Sequence, residues 1–223
     1  LGDRWGVLGM NSFNSKLHKF LEKLVVSFNF DNFVCISKTT QKDLLKFRRN
    51  VNSRVIYPGV DYNFWNPKKY NGNNIREKYN LKNKFVYLFY GRPGITKGLE
   101  YVLRAVPSIS KKIPNSIFFA IVSQEDKKRY GYVLELVNKF KIKDKIILHE
   151  PVEYNKLPNY LMMADVIVVP SLTEGFGFTT VESCALGKPV IVNNAGSLPE
   201  VVSGKYKIIN DKKRVTFFIY GNL

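Results

Sequence analysis

Two glutamates eight positions apart frame the segment Glu174-Gly175-Phe176-Gly177-Phe178-Thr179-Thr180-Val181-Glu182. A carboxylate can accept two hydroxyl hydrogen bonds at once, as vicinal sugar hydroxyls require. Gly175 and Gly177 would leave backbone amides open to a phosphate or sugar between the two acids. Phe176 and Phe178, alternating with the glycines, suit the wall of a ligand site. A blander reading takes the acids as helix-start residues favoured by the helix dipole. It explains Glu174 but neither the two glycines nor the preceding Pro170-Ser171.

A second segment, Gly91-Arg92-Pro93-Gly94-Ile95-Thr96-Lys97-Gly98, lies between a strand-like and a helix-like run. Glycine lets a backbone approach a ligand closely. A helix start offers free amides and a partial positive charge to an anion. Arg92 brings a planar fork and Lys97 a mobile point charge, a pair suited to a diphosphate. The spacing is not that of the G-x-x-x-x-G-K-[ST] phosphate loop. Taken alone, the segment fits an ordinary turn with two exposed cations equally well.

The elements that must position these loops are legible as alternating runs. Apolar stretches at 85–90, 116–122, 146–149, 166–169 and 189–192 predict buried strands. Helical patterns fall at 98–109, 125–140, 157–164 and 179–186, with a short one at 197–202. Single helices between strands imply right-handed crossovers and a parallel sheet covered on both faces. Residues 76–223 therefore read as an α/β, Rossmann-like domain, with 76–209 carrying the alternation. In such sheets ligands bind where strands end and helices begin. The two loops are expected to converge there, with Arg92 and Lys97 facing Glu174 and Glu182.

Upstream, Leu17, Phe20, Leu21, Leu24 and Val25 recur at helical spacing and predict an amphipathic helix over 15–27 with its apolar stripe in a core. A strand follows at 33–36, then a helix opened by a capping box at Thr40–Asp43, then a strand at 54–57. Residues 58–75, broken by Pro58, Gly59, Pro67 and Gly72, read as a linker pinned by Tyr62, Phe64 and Trp65. At the far end, Lys212-Lys213-Arg214 precedes a strand-like run at 215–220, where helices would continue the alternation.

The chain has 223 residues, enough for one large domain or one and a half. Its net charge of +17 admits a solvated lysine-rich surface, docking on an anionic membrane surface, or nucleic-acid binding. No nucleic-acid motif is legible, so specific nucleic-acid binding is the weakest of the three. No apolar run reaches the ~18 residues needed to span a bilayer. Cys35 and Cys184 fit neither a disulfide framework nor metal spacing and read as buried thiols of a reducing compartment. His18 and His149 stand apart from any ligand pattern, so no metal site is proposed. A cytoplasmic chain, docked peripherally on the cytoplasmic face of a membrane if at all, is the expectation.

The run ADVIVVPSLTEGFGFTTVESCALGKPVIVNNAGSLPEVV resembles the E-x7-E region of retaining glycosyltransferases of family 4, in the GT-B class. YLFYGRPGITKGLEYVLRA resembles the strand, loop and helix that open the nucleotide-binding domain of that family. VIYPGVD resembles its interdomain linker and VCIS the end of its preceding domain, so the resemblance covers roughly residues 30–209. It implies transfer of a hexosyl unit from a UDP- or GDP-sugar with retained configuration, without a metal or other cofactor. By the same resemblance, Arg92 and Lys97 hold the donor diphosphate, Glu174 contacts the transferred sugar, and Glu182 accepts from the ribose. The candidate catalytic residues are therefore Glu174, Arg92 and Lys97. The candidate substrate-binding residues are Gly91, Gly94, Ser171, Gly175, Phe176, Gly177, Phe178, Thr179 and Glu182. Base recognition is expected near 122–131 and 149–154, which carry no diagnostic pattern. Against the family's two halves, residues 1–57 match only the end of the acceptor-side half, and the C-terminal run departs after Glu200-Val201-Val202. The expectation is a truncated or split protein, with a partner chain as one source of the acceptor half.

Overall fold

The structure, a computed structural model, describes residues 17, 20, 21, 24, 25, 27, 28, 30–202, 205–210 and 216–221. A small unit comes first: β1 (Phe33–Cys35), α1 (Lys38–Phe47) and β2 (Ser53–Val55), with the two strands parallel. The larger body contains α2 (Asn73–Lys78), β3 (Phe85–Gly91), α3 (Leu99–Lys112), β4 (Ser116–Val122), α4 (Lys127–Lys139) and β5 (Ile146–His149). It continues through α5 (Leu157–Met163), β6 (Val166–Val169), α6 (Phe178–Ala185), β7 (Val190–Asn193), α7 (Leu198–Val201), β8 (Lys205–Asn210) and β9 (Thr216–Gly221).

Seven strands form one sheet in the order β5-β4-β3-β6-β7-β9-β8. The first five are mutually parallel, as expected from the alternation. The last two are not: β9 runs antiparallel to β7, and β8 antiparallel to β9. The run at 215–220 is thus a strand for all but Val215, which lies with Lys212, Lys213 and Arg214 outside the described residues.

Side chains along each central strand divide between two cores, as a period of two requires. Val86, Leu88, Phe119, Ile121, Ile167 and Val169 pack with α5, α7 and Trp65 on one face. Tyr87, Phe89, Phe118, Ala120, Val122, Val166 and Val168 pack with α3 and α4 on the other. Strands apolar on both sides are what a parallel sheet covered twice demands. From β3 the chain winds outward to β4 and β5, then returns across β3 to β6 and β7. The direction of winding therefore switches between β3 and β6, and a crevice opens there beyond the strand ends.

The segment 58–75 is held against the larger body. Trp65 is buried, its Nε1 donating to Tyr154 Oη at 3.2 Å, and Phe64 stacks on Tyr154 with centroids 5.0 Å apart. Gly72 lies so near the Met163 backbone that a Cβ would meet its nitrogen at 2.2 Å.

Two upstream expectations are corrected. The capping box of α1 is built by Ser37 and Thr40, three residues before the expected start, because Ser37 Oγ accepts from Thr40 N. Leu17, Phe20, Leu21, Leu24 and Val25 are helical but 44–61 % exposed rather than in a core. Helical periodicity marks a face, and a face becomes core only where another element covers it. The rest of the 15–27 helix, with His18, lies outside the described residues. His149 is packed edge-on or stacked against Tyr79, Phe119 and Tyr160. Cys35 is buried and Cys184 half-buried.

Candidate active site

The loops after β3 and β6 meet at the switch point. Leu172 N donates to Thr96 O at 2.8 Å, tying one loop to the other. Gly98 sits at φ +69°, and a Cβ there would come within 2.0 Å of Pro170 O. Only glycine meets both demands without strain. Asn193, at the end of β7, donates from Nδ2 to Ser171 O at 3.1 Å and holds the buried Ser171 in place.

This convergence brings Lys97 onto Glu174. The ammonium lies 2.8 Å from Glu174 Oε2, and the pair is mostly withdrawn from water, with side chains 28 % and 15 % exposed. The expected facing of Lys97 and Glu174 is closed to direct contact. The Glu174 main chain is fixed from the other side. Ser197 donates to Glu174 O from its amide at 3.1 Å and from its hydroxyl at 3.2 Å. Gly196, at φ +57°, leaves room that a Cβ would close to 2.2 Å from Glu174 O.

Glu182 faces differently. It is buried on α6, and Tyr90 Oη donates to its Oε2 at 2.5 Å while lying 3.2 Å from Thr179 O. Burial raises the Glu182 carboxyl above its ordinary value, and the Tyr90 hydrogen bond offsets part of that rise. Burial first, and then the Glu182 charge, push the Tyr90 phenol well above its ordinary range. Tyr90 directly precedes Gly91-Arg92, so β3 links the cationic loop to the second acid.

Arg92 is exposed and bonds to neither acid. Gly91 ends β3 at φ +154°, and Gly94 is half-buried ahead of a single 3-10 turn over Ile95–Lys97. Phe176 is buried and Phe178 half exposed, their rings 5.1 Å apart. Gly177 opens α6 at φ +95°, and Gly98 opens α3. Neither helix start carries a side-chain cap; Tyr101 N and Thr180 N turn back to the cap carbonyls at 3.0 and 2.9 Å, which leaves the first two amides of each helix for a ligand at the same edge. Uncapped amides and dipoles of two helices beside a lysine and an arginine make a place for an anion. A carboxylate steered by that lysine can accept hydroxyl hydrogen bonds beside it. A groove of about 640 Å³ also borders Pro93, Gly94 and Ile95, but it runs between α3 and α4 and touches neither acid.

Sequence reasoning passed over Tyr90, Gly196 and Ser197. Tyr90 reads as strand core, and Gly196-Ser197 reads as a plain helix approach. Gly196 beside Ser197, with Pro199 two residues further on, is the one signal of close packing available there.

The family model described as "Glycosyl transferases group 1" matches residues 71–215, well over half of the chain. The chain belongs to that family. Among its relatives in the group 1 glycosyltransferases, an uncharacterized glycosyltransferase of Methanocaldococcus jannaschii is 29% identical over 187 residues. That match covers 80% of this chain and 44% of the relative. A GDP-mannose-dependent alpha-(1-6)-phosphatidylinositol monomannoside mannosyltransferase of Mycolicibacterium smegmatis is 28% identical over 166 residues, covering 69% of this chain and 42% of that one. Among solved structures, Anabaena HepE in complex with UDP-glucose superposes with a TM-score of 0.73 at 17% identity, over 85% of this chain and 52% of that one. This last likeness establishes the GT-B-type α/β fold. The chain spans less than half the length of the two named relatives and about half of the structural neighbour. Among the described residues, no helix is long and apolar enough to cross a membrane. No group of three or more His, Cys, Asp or Glu among them could hold a metal ion.

Proposed function

We propose that this chain is the donor-binding half of a retaining, metal-independent hexosyltransferase of family 4. The observation that carries the proposal is the Lys97–Glu174 pair between two uncapped helix starts at the switch point. In this reading Arg92, Lys97 and the first-turn amides of α3 and α6 take the diphosphate of a nucleoside-diphosphate sugar. They stabilise its charge as it leaves, and preorganised donors can supply much of such a barrier reduction. Glu174, oriented by Lys97 and Ser197, accepts from hydroxyls of the transferred sugar. Glu182, oriented by Tyr90, accepts from the ribose through its other oxygen. Gly91, Gly94, Gly175 and Gly177 let the backbone approach the donor. Ser171, Phe176, Phe178 and Thr179 line the sugar side.

Two donor classes follow from the relatives named above: a uridine nucleotide, as bound by HepE, and a guanosine nucleotide, as named for the mycobacterial mannosyltransferase. Thermal unfolding should rise in temperature with UDP-glucose or with GDP-mannose, and Arg92→Ala should abolish the rise. In an enzyme completed by its acceptor half, losing that phosphate contact should lower the rate by about 10²–10³. Unchanged protection and unchanged rate in Arg92→Ala would remove the residue from this role. Proton NMR of the first product formed distinguishes retention from inversion.

A second reading is a nucleotide-sugar-binding module or one half of a split enzyme. The slightness of the two-stranded β1–β2 pair beside the seven-stranded sheet favours it. Turnover by the purified chain alone excludes it; turnover only after adding a second polypeptide supports it. Peripheral membrane docking, compatible with either reading, would appear as flotation on anionic vesicles that weakens at high salt.

A further inference from the structure

Glu200 lies on α7 and is absent from the roles assigned above. Its carboxylate reaches across to the small unit. Lys38 N donates to Glu200 Oε2 at 2.9 Å, and Thr39 N donates to Oε1 at 3.0 Å. Tyr57 Oη donates to Oε2 at 3.0 Å. A helix start leaves four amides without intrahelical partners. In α1 the capping box serves two of them, Ser37 Oγ taking Thr40 N and Thr40 Oγ1 taking Ser37 N. Glu200 serves the other two from 161–162 positions away in the chain. Burial alone would raise its carboxyl, but the bonds from Thr39, Lys38 and Tyr57 outweigh that and hold it below its ordinary value.

The same contacts lead to Glu174 by two routes. Thr39 Oγ1 donates to Gly196 O at 3.1 Å, and Gly196 and Ser197 pack on the Glu174 backbone. The Tyr57 ring lies 6.3 Å from that of Phe176, two residues after Glu174. We infer that Glu200 is a positioning residue, clamping the small unit to the larger body and thereby setting where the Glu174 carboxylate stands. The donor-side consequence rests on the reading that Glu174 contacts the sugar. On that reading the nucleotide is held by Arg92, Lys97, Glu182 and helix amides, none of which bonds to Glu200, whose partners are Lys38, Thr39 and Tyr57.

The test compares wild type with Glu200→Ala in two measurements. The first is amide hydrogen exchange. Loss of the clamp should speed exchange at Lys38 and Thr39, and also at Ser197, by about tenfold or more, with β3 amides unchanged. The second is the dissociation constant of UDP against that of UDP-glucose, or of GDP against that of GDP-mannose, whichever pair binds wild type. The nucleotide should bind the variant within about twofold of wild type while the sugar nucleotide weakens about tenfold, the loss of one charge-assisted hydrogen bond. Glu200→Gln, which keeps one acceptor oxygen, should fall between. Wild-type protection at Ser197, or equal weakening of nucleotide and sugar nucleotide, overturns the inference. If neither pair binds wild type, the donor reading fails, and Ser197 exchange alone decides the coupling. Should Glu200→Ala not fold, Thr39→Val and Tyr57→Phe each cut one route and are judged by the same two measurements.

Discussion

Glu182 is a buried carboxyl whose environment works against the fold. Its carboxyl is buried with one hydroxyl partner in view, and burial raises its pKa. A raised carboxyl holds its proton to higher pH in the folded chain than in the unfolded one. Its stabilising contribution is therefore full below the ordinary carboxylate range and is lost as pH rises through the raised value. Glu182→Gln keeps an acceptor for Tyr90 and removes the titration. The variant should melt at a higher temperature than wild type at pH 7, and the gap should close below about pH 4. Melting curves across pH read this directly, and a gap constant with pH would contradict it. The same substitution should weaken nucleotide binding, because a neutral amide accepts less strongly than a carboxylate.

Among the elements, the turns rather than the helices carry the constraint. Gly98 must be left-handed and must admit Pro170 O, whereas Gly131, within α4, has nothing within 4 Å of a Cβ. Gly98→Ala should cost about 1–3 kcal/mol and disturb nucleotide binding, since it forces the two loops apart. Gly131→Ala should instead stabilise by roughly 0.4–1 kcal/mol, by relieving a helix of its glycine. Denaturant midpoints of the two variants should move in opposite directions. The five parallel strands and their helices were legible because apolar runs and helical spacing are written locally. So were the two loops, whose glycines and charges are contiguous in sequence. What was not legible depends on pairing at a distance. The direction of β9 is set by its partner β7, and Ser37 won the cap from the candidate three residues on because the fold selected its start. Tyr90 looked like core because a strand residue next to a loop does not announce which acid it will meet.

At the scale of the molecule, two bodies of very different size share one chain. The larger has cores on both faces of a seven-stranded sheet; the smaller rests on two strands and one helix. A two-stranded parallel pair is too slight to stand by itself in water. Its connection to the rest runs through Trp65 and the packed 58–75 segment, and through three bonds to one carboxylate. Cores of this kind lose little when one acid is neutralised, whereas a tether of amides on a carboxylate loses its charge-assisted strength. A lowered carboxyl contributes stability at pH above its unfolded value, and that contribution disappears as pH falls through the folded one. Acidification should therefore take the protein apart in sequence, releasing α1 and its strands while the sheet is still intact. Exchange at Lys38 and Thr39 should accelerate at a higher pH than exchange in β3 and β4. Mild acid would then give a chain in which the Lys97–Glu174 convergence survives while the small unit beside it has let go.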